Sequence, residues 1–185
     1  MTKKPLYLFV GKSASGKTTI ANMLEQEYGC KQVQSYTTRK PRYEGEIGHI
    51  FITEEEFDNL GELAAYTFYN GNKYGTTTKQ VDECNIYVID VPGVETLLQK
   101  YKTDRTIYII YFDTGVHTRI NRMLERGDHD NAIISRLLQD EKTDWLQQLR
   151  HIASQHNKQN LWVYPVNAEL TPKQVIEEML WMVRF

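Results

Sequence analysis

Gly11-Lys12-Ser13-Ala14-Ser15-Gly16-Lys17-Thr18 decides the fold of this 185-residue chain. It completes the pattern G-x-x-x-x-G-K-[ST] in the setting that pattern needs. Ahead of it, Leu6-Tyr7-Leu8-Phe9-Val10 is an apolar run short enough to be a buried strand. Behind it, Ile20, Met23, Leu24 and Tyr28 recur at helical spacing. Strand, glycine loop and helix in that order aim successive backbone N–H groups, and the positive end of the helix, at one anion. The loop is therefore expected to cradle a nucleoside triphosphate. Lys17 reaches its β- and γ-phosphates and the Thr18 hydroxyl ligates Mg²⁺. Gly11 and Gly16 allow backbone angles and a close approach that a Cβ forbids.

Composition sets the frame around that loop. Hydrophobic residues are 41% of the chain and charged residues 25%, values of an ordinary globular protein large enough to bury one core. Lys and Arg total 22 against 24 Asp and Glu, a balance that gives no electrostatic footprint for nucleic acid or an anionic membrane. No apolar stretch approaches the roughly 18 residues of a membrane helix. The start Met-Thr-Lys-Lys-Pro lacks a signal-peptide core. Cys30 and Cys84 stand apart without metal-like spacing, and a reduced, cytoplasmic protein is expected.

Strand-like and helical stretches alternate along the chain. Val33–Tyr36, Ile86–Val91, Thr106–Phe112 and Leu161–Tyr164 read as strands, the last three apolar enough to be buried on both faces. Helices are expected at Gly93–Lys100, Val116–Arg126, Asn131–His156 and Pro172–Arg184, the last opened by Thr171-Pro172. The pattern predicts a parallel α/β sheet with helices on both faces. Residues 35–83 interrupt it with shorter signals. Thr53-x-x-Glu56 is a capping box for a helix over Glu54–Leu60. Asn70-Gly71 sits in a hairpin between Leu63–Tyr69 and Tyr74–Thr76, and a brief helix follows at Thr78–Glu83. These residues read as an inserted lobe able to close over a substrate.

Ser35-Tyr36-Thr37-Thr38-Arg39-Lys40-Pro41-Arg42 lies at the start of that lobe. Two arginines three apart, around a proline that holds the chain extended, can present two planar forks to one phosphate. Beside a phosphate loop, a second anion site suggests phosphoryl transfer between two phosphorylated molecules. Here the chain resembles the guanylate kinase family. The matching motifs run from the phosphate loop through Ser35-x-Thr37-Thr38-Arg39-x-Pro41-Arg42 and Gly71-Asn72-x-Tyr74-Gly75-Thr76. They continue with Asp90, Gly93, Arg122-x-x-x-Arg126-Gly127 and Val166-Asn167, in family order over nearly the full chain.

The resemblance implies a single domain with the P-loop kinase fold. Its parts are a five-stranded parallel core (1–34 and 84–185), an acceptor lobe (35–83) and a helical lid (122–138). It implies ATP as donor, bound by Gly11, Ser13, Ala14, Ser15, Gly16, Lys17, Thr18 and Thr19, with Asn167 beside the adenine. Ser35, Arg39, Arg42, His49, Tyr74 and Thr76 would hold the acceptor, and Arg122, Arg126 and Arg136 would be the catalytic cations with Lys17. Asp90 would join Thr18 at Mg²⁺ from the outer shell. The partner is then a small phosphorylated acceptor, and the protein a monomer or homodimer.

Three positions that bear on the substrate depart from the family. Ala65 and Val88 stand where family members carry the glutamate and aspartate that read guanine, and His49 stands for a phosphate-binding tyrosine. Ala14 replaces a family glycine. These departures leave the acceptor open between a nucleoside monophosphate, with Tyr66, Phe68 and Tyr69 as stacking surfaces, and a sugar phosphate. The chain is similar, more weakly, to ribose bisphosphate phosphokinases. A phospho-ligand module without catalysis is the alternative of another class.

Overall fold

The computed structural model describes residues 4–42, 44–156 and 160–183. In chain order they form β1 (Leu6–Val10), α1 (Lys17–Tyr28), β2 (Ser35–Thr37), β3 (His49–Phe51), α2 (Glu54–Asp58), β4 (Ala65–Tyr69), β5 (Asn72–Thr76) and α3 (Thr78–Glu83). Then come β6 (Ile86–Val88), α4 (Val91–Lys100), β7 (Ile107–Asp113), α5 (Val116–Glu125), α6 (Asp130–Asp140), α7 (Trp145–Gln155), β8 (Leu161–Asn167) and α8 (Pro172–Val183). Arg184, expected to end the last helix, and Met1 to Lys3 lie outside the described residues.

All five residues of β1 are buried, and alternate side chains serve two cores. Leu6, Leu8 and Val10 pack with Val94, Leu97 and Leu98 of α4 and with Leu149 of α7. Tyr7 and Phe9 pack with Ile20 and Leu24 of α1 and with Val175, Ile176 and Met179 of α8. An unbroken apolar strand needs this two-sided cover, and a parallel sheet between helices provides it. The core sheet is parallel, in the order β6-β1-β7-β8. Pro165 is tolerated in β8 because that strand is at the edge, where a missing N–H breaks no ladder.

This sheet has four strands where five were expected. The fifth place is reached by Gln32 alone, in a single parallel bridge to Ile86. Val33 contributes one buried side chain, while the Gln32 amide is drawn to Asn22 and Glu25 of α1. The chain then leaves, so the strand expected at Val33–Tyr36 becomes β2 in a second sheet of order β3-β2-β5-β4. Its hairpin turns on Asn70 (φ 48°) and Gly71 (φ 77°), both left-handed as a two-residue type I′ turn requires. The capping box at Thr53 and Glu56 is formed, and a second one joins Thr77 and Gln80.

The helix expected over Asn131–His156 is two helices. Asp144 accepts the Gln147 N–H at 3.0 Å and starts α7 afresh. The break brings Asp140 and Glu141 against the phosphate loop, where they bond to Ser13 and Lys12. Among the described residues no helix is long and apolar enough to cross a membrane.

Arg105, 5% exposed, ties the far end of the core together. It donates to the carbonyls of Lys4 (2.8 Å), Pro5 (3.1 Å), Val81 (2.9 Å) and Cys84 (2.7 Å). Arg105→Met leaves those carbonyls without their donor, and a loss of about 3 kcal/mol is expected. Urea unfolding checks it: the midpoint should fall while nucleotide affinity is unchanged, and an unshifted midpoint would mean that the carbonyls find other partners.

Candidate active site

The backbone leaving β1 runs so close to β7 that a Cβ on Gly11 would lie 2.9 Å from the Phe112 carbonyl oxygen and 2.7 Å from Ser15 Oγ. Gly16 takes φ 98°, and Ala14 is also left-handed at φ 59°. An alanine held there costs on the order of 1 kcal/mol, which the family's glycine avoids. Lys17 Nζ curls under the loop to the carbonyls of Gly11 (2.6 Å) and Lys12 (2.9 Å) and to Ser15 Oγ (3.2 Å). Burial pulls its ammonium down to about 8, with Asp140 opposing and Arg119 assisting.

Two cavities meet on this loop. One, of about 460 Å³, is lined by Ser15, Gly16, Thr19, Arg122 and, at its apolar end, Phe112, Ala168, Leu170 and Val175. The other, of about 240 Å³, reaches from Gly11 and Ser13 to Ser35, Arg42, His49 and Tyr74 and on to Tyr66, Thr67, Tyr69, Val88 and Trp145. Ala14, Lys17, Thr18 and Arg126 line both. Asn167 lines neither; its Oδ1 accepts the Glu169 N–H at 3.0 Å.

The cations around the second cavity are held by two carboxylates. Glu46 takes Arg39 in a bidentate pair (2.8 and 3.1 Å) and accepts the Arg42 N–H at 2.7 Å. With its fork spent there, and stacked over Phe51 at 5.3 Å, Arg39 does not line the cavity. Asp128 pairs with both Arg126 and Arg136 at 2.5 Å. Arg122 donates to the Ala168 carbonyl at 2.9 Å, beside the loop. Burial, together with Arg39 and Arg136, lowers the Arg42 pKa below the usual guanidinium range. A phosphate at this place would relieve that crowding of like charge.

Asp90 lines the second cavity with Thr18. It is the N-cap of α4: Oδ1 accepts the Gly93 N–H and Oδ2 the Thr67 hydroxyl, both at 2.9 Å. Burial raises its pKa against those two bonds. The hydroxyl and carboxylate oxygens of Thr18 and Asp90 are the hard donors that suit Mg²⁺. At the far end Thr76 is fully buried with its hydroxyl on Gln80, and Ala65 is 1% exposed within the core. Neither lines the cavity, and Phe68 points elsewhere, 61% exposed.

Sequence reading missed Glu46, Asp128, Arg119 and Asp140. Arg119 and Asp140 had one visible signal: each is a charge on the inward face of an amphipathic helix, with Met123 and Ile133 as buried companions.

No protein-family model matches the chain. A guanylate kinase of Geobacter metallireducens is 30% identical over 144 residues, 71% of this chain and 70% of the relative. A guanylate kinase of Synechocystis sp. is 33% identical over 151 residues, 74% and 78% of the two chains. The crystal structure of guanylate kinase from Anaplasma phagocytophilum shares the fold at TM-score 0.59 and 16% identity, over 100% of this chain and 86% of that one.

His49 gives a test of the site's electrostatics. Its Nδ1 lies 2.9 Å from Ser35 Oγ, and its ring meets Tyr74 edge-on at 5.7 Å. Burial, then the charge of Arg39, lowers its pKa to about 4 from an ordinary 6.5. The unfolded chain therefore takes up this proton first, so stability contributed by the neutral ring is lost as pH falls from 6.5 toward 4. Between pH 7 and 4.5 the wild type should lose about 2 kcal/mol more than His49→Gln. Denaturant melts at both pH values measure this, and parallel losses would contradict a half-buried imidazole held neutral.

Proposed function

The chain belongs to the guanylate kinase family, and from that membership we propose that it transfers the γ-phosphoryl group of ATP to the phosphate of a nucleoside monophosphate. The meeting of the two cavities at Ala14, Lys17, Thr18 and Arg126 carries this reading. A donor in the larger cavity and an acceptor in the smaller one bring their phosphates to the same four residues. Proximity and charge neutralisation are most of what phosphoryl transfer asks of a protein.

In this reading the loop N–H groups and Lys17 hold the donor phosphates, and the apolar end at Leu170 and Val175 receives the adenine. Arg42, with Ser35, His49 and Tyr74, holds the acceptor phosphate. Arg39 acts through Glu46, fixing the loop from which Arg42 projects. Arg122 and Arg126 lie on one face of α5 and its C-cap, Arg136 is across Asp128 from Arg126, and they meet negative charge as it develops. Mg²⁺, on Thr18 and through water on Asp90, supplies further neutralisation of phosphate charge. Closure of residues 35–83 as a lobe and 122–138 as a lid would exclude water and so suppress hydrolysis of ATP.

Guanine selectivity is not part of this reading. Val88 offers no hydrogen-bond acceptor, and Ala65 and Thr76 are sealed from the cavity. The base is instead expected against Tyr66, Tyr69, Val88 and Trp145, a surface of rings and a methyl pair suited to stacking. The same lack of an edge reader favours, as a second reading, a sugar phosphate without a base.

Coupled ADP-release assays over GMP, dGMP, the other ribo- and deoxyribonucleoside monophosphates and ribose bisphosphates test the assignment. At least one nucleoside monophosphate should be turned over, and Lys17→Ala should lower kcat by about 100-fold or more. Turnover of sugar phosphates alone would establish the second reading. Mg-ATP affinity absent from the wild type would leave the non-catalytic phospho-ligand module.

A further inference from the structure

Lys12 and Ser13, the second and third residues of the phosphate loop, are both tied to the end of α6, some 127 residues away. Asp140, fully buried, accepts the Ser13 N–H on Oδ2 at 2.7 Å. Arg119 of α5, 1% exposed, places Nη1 3.3 Å from that same oxygen and pairs through Nη2 with Glu141. Glu141 in turn takes Lys12 Nζ at 2.6 Å. From the acceptor side, the Tyr69 hydroxyl donates to Asp140 Oδ1 at 3.4 Å. Asp140 and Lys17 line the same cavity.

The Arg119 Nε is buried with no partner among the described residues. A buried pair with an orphaned donor is a poor device for stability, since apolar side chains of like volume serve as well. It does hold one backbone group in one place, because a carboxylate binds an N–H more tightly than a neutral acceptor does.

We propose that Asp140, oriented by Arg119, is a positioning residue for the phosphate loop, holding the Ser13 N–H in place from the end of α6. The γ-phosphate then meets a loop whose third residue is already committed, so the remaining N–H groups and Lys17 form a preorganised cradle. The proposal rests on the donor reading given above.

Asp140→Asn tests it, since asparagine keeps an oxygen for the Ser13 N–H and removes the charge. Hydrogen exchange of the Ser13 amide should be about tenfold faster in the variant than in the wild type, because a neutral acceptor holds the N–H less tightly. Calorimetry should show Mg-ATP affinity about tenfold weaker. A variant that is merely less stable, with the Ser13 exchange and ATP affinity of the wild type, overturns the proposal. Should Asp140→Asn fail to fold, hydrogen exchange of the Ser13 amide in the wild type decides. Protection well above that of an exposed loop amide supports the bond to Asp140, and free exchange overturns it. A wild type that does not bind Mg-ATP contradicts the donor reading, while the Ser13 amide still judges the role of Asp140.

Discussion

At Gly11 the chain passes from a strand held on both sides to a loop pressed against the Phe112 carbonyl, and no side chain fits between them. That close approach governs much of the rest. β1 is locked between β6 and β7 by parallel ladders and buried on both faces, so its end at Val10 is fixed in space. The loop that follows is held to β7 on one side and to the end of α6 on the other. Its backbone is therefore fixed in advance, which lowers the ordering cost of holding an anion there.

Charge is arranged around this rigid feature in two tiers. Glu46 and Asp128, each with two arginines, keep cations gathered where phosphates would sit. Neither carboxylate can neutralise its pair fully, and Arg42 in particular bears the crowding. The second tier is Asp140 with Arg119, fully buried, and Asp90 with Thr67, half-buried, each carboxylate bonded to a backbone N–H at the edge of the cavities. The first tier stores attraction for an anion; the second holds the backbone that receives it.

Much of this was legible in the sequence, where it depended on local chemistry. The β1–loop–α1 unit, the Asn70-Gly71 turn, the Thr53 capping box and the two-sided burial of β6 and β7 follow from short-range pattern; Lys17, Arg42, Arg126 and Arg136, which line one cavity, were brought together in the sequence only by the family resemblance. Features that depended on distant partners were not legible. A fifth core strand was expected from the family resemblance and from the run Val33–Tyr36, but Gln32 is drawn to α1 and only a single bridge to Ile86 remains. One long helix was expected over Asn131–His156, but the Asp144 carboxylate caps the start of a separate helix, α7. Arg39 looked like a phosphate ligand until Glu46 claimed its fork. Asp140 could not be linked to Ser13 by any spacing, since only the packed fold joins them.

The central claim is that donor and acceptor phosphates meet on one loop, in two cavities that share Ala14, Lys17, Thr18 and Arg126. Calorimetry with adenosine joined to a second nucleoside through five phosphates tests this most directly. If both cavities are engaged at transfer distance, the linked compound should bind about 100-fold or more tighter than ATP. Affinity no greater than that of ATP, with every second nucleoside tried, would contradict the account.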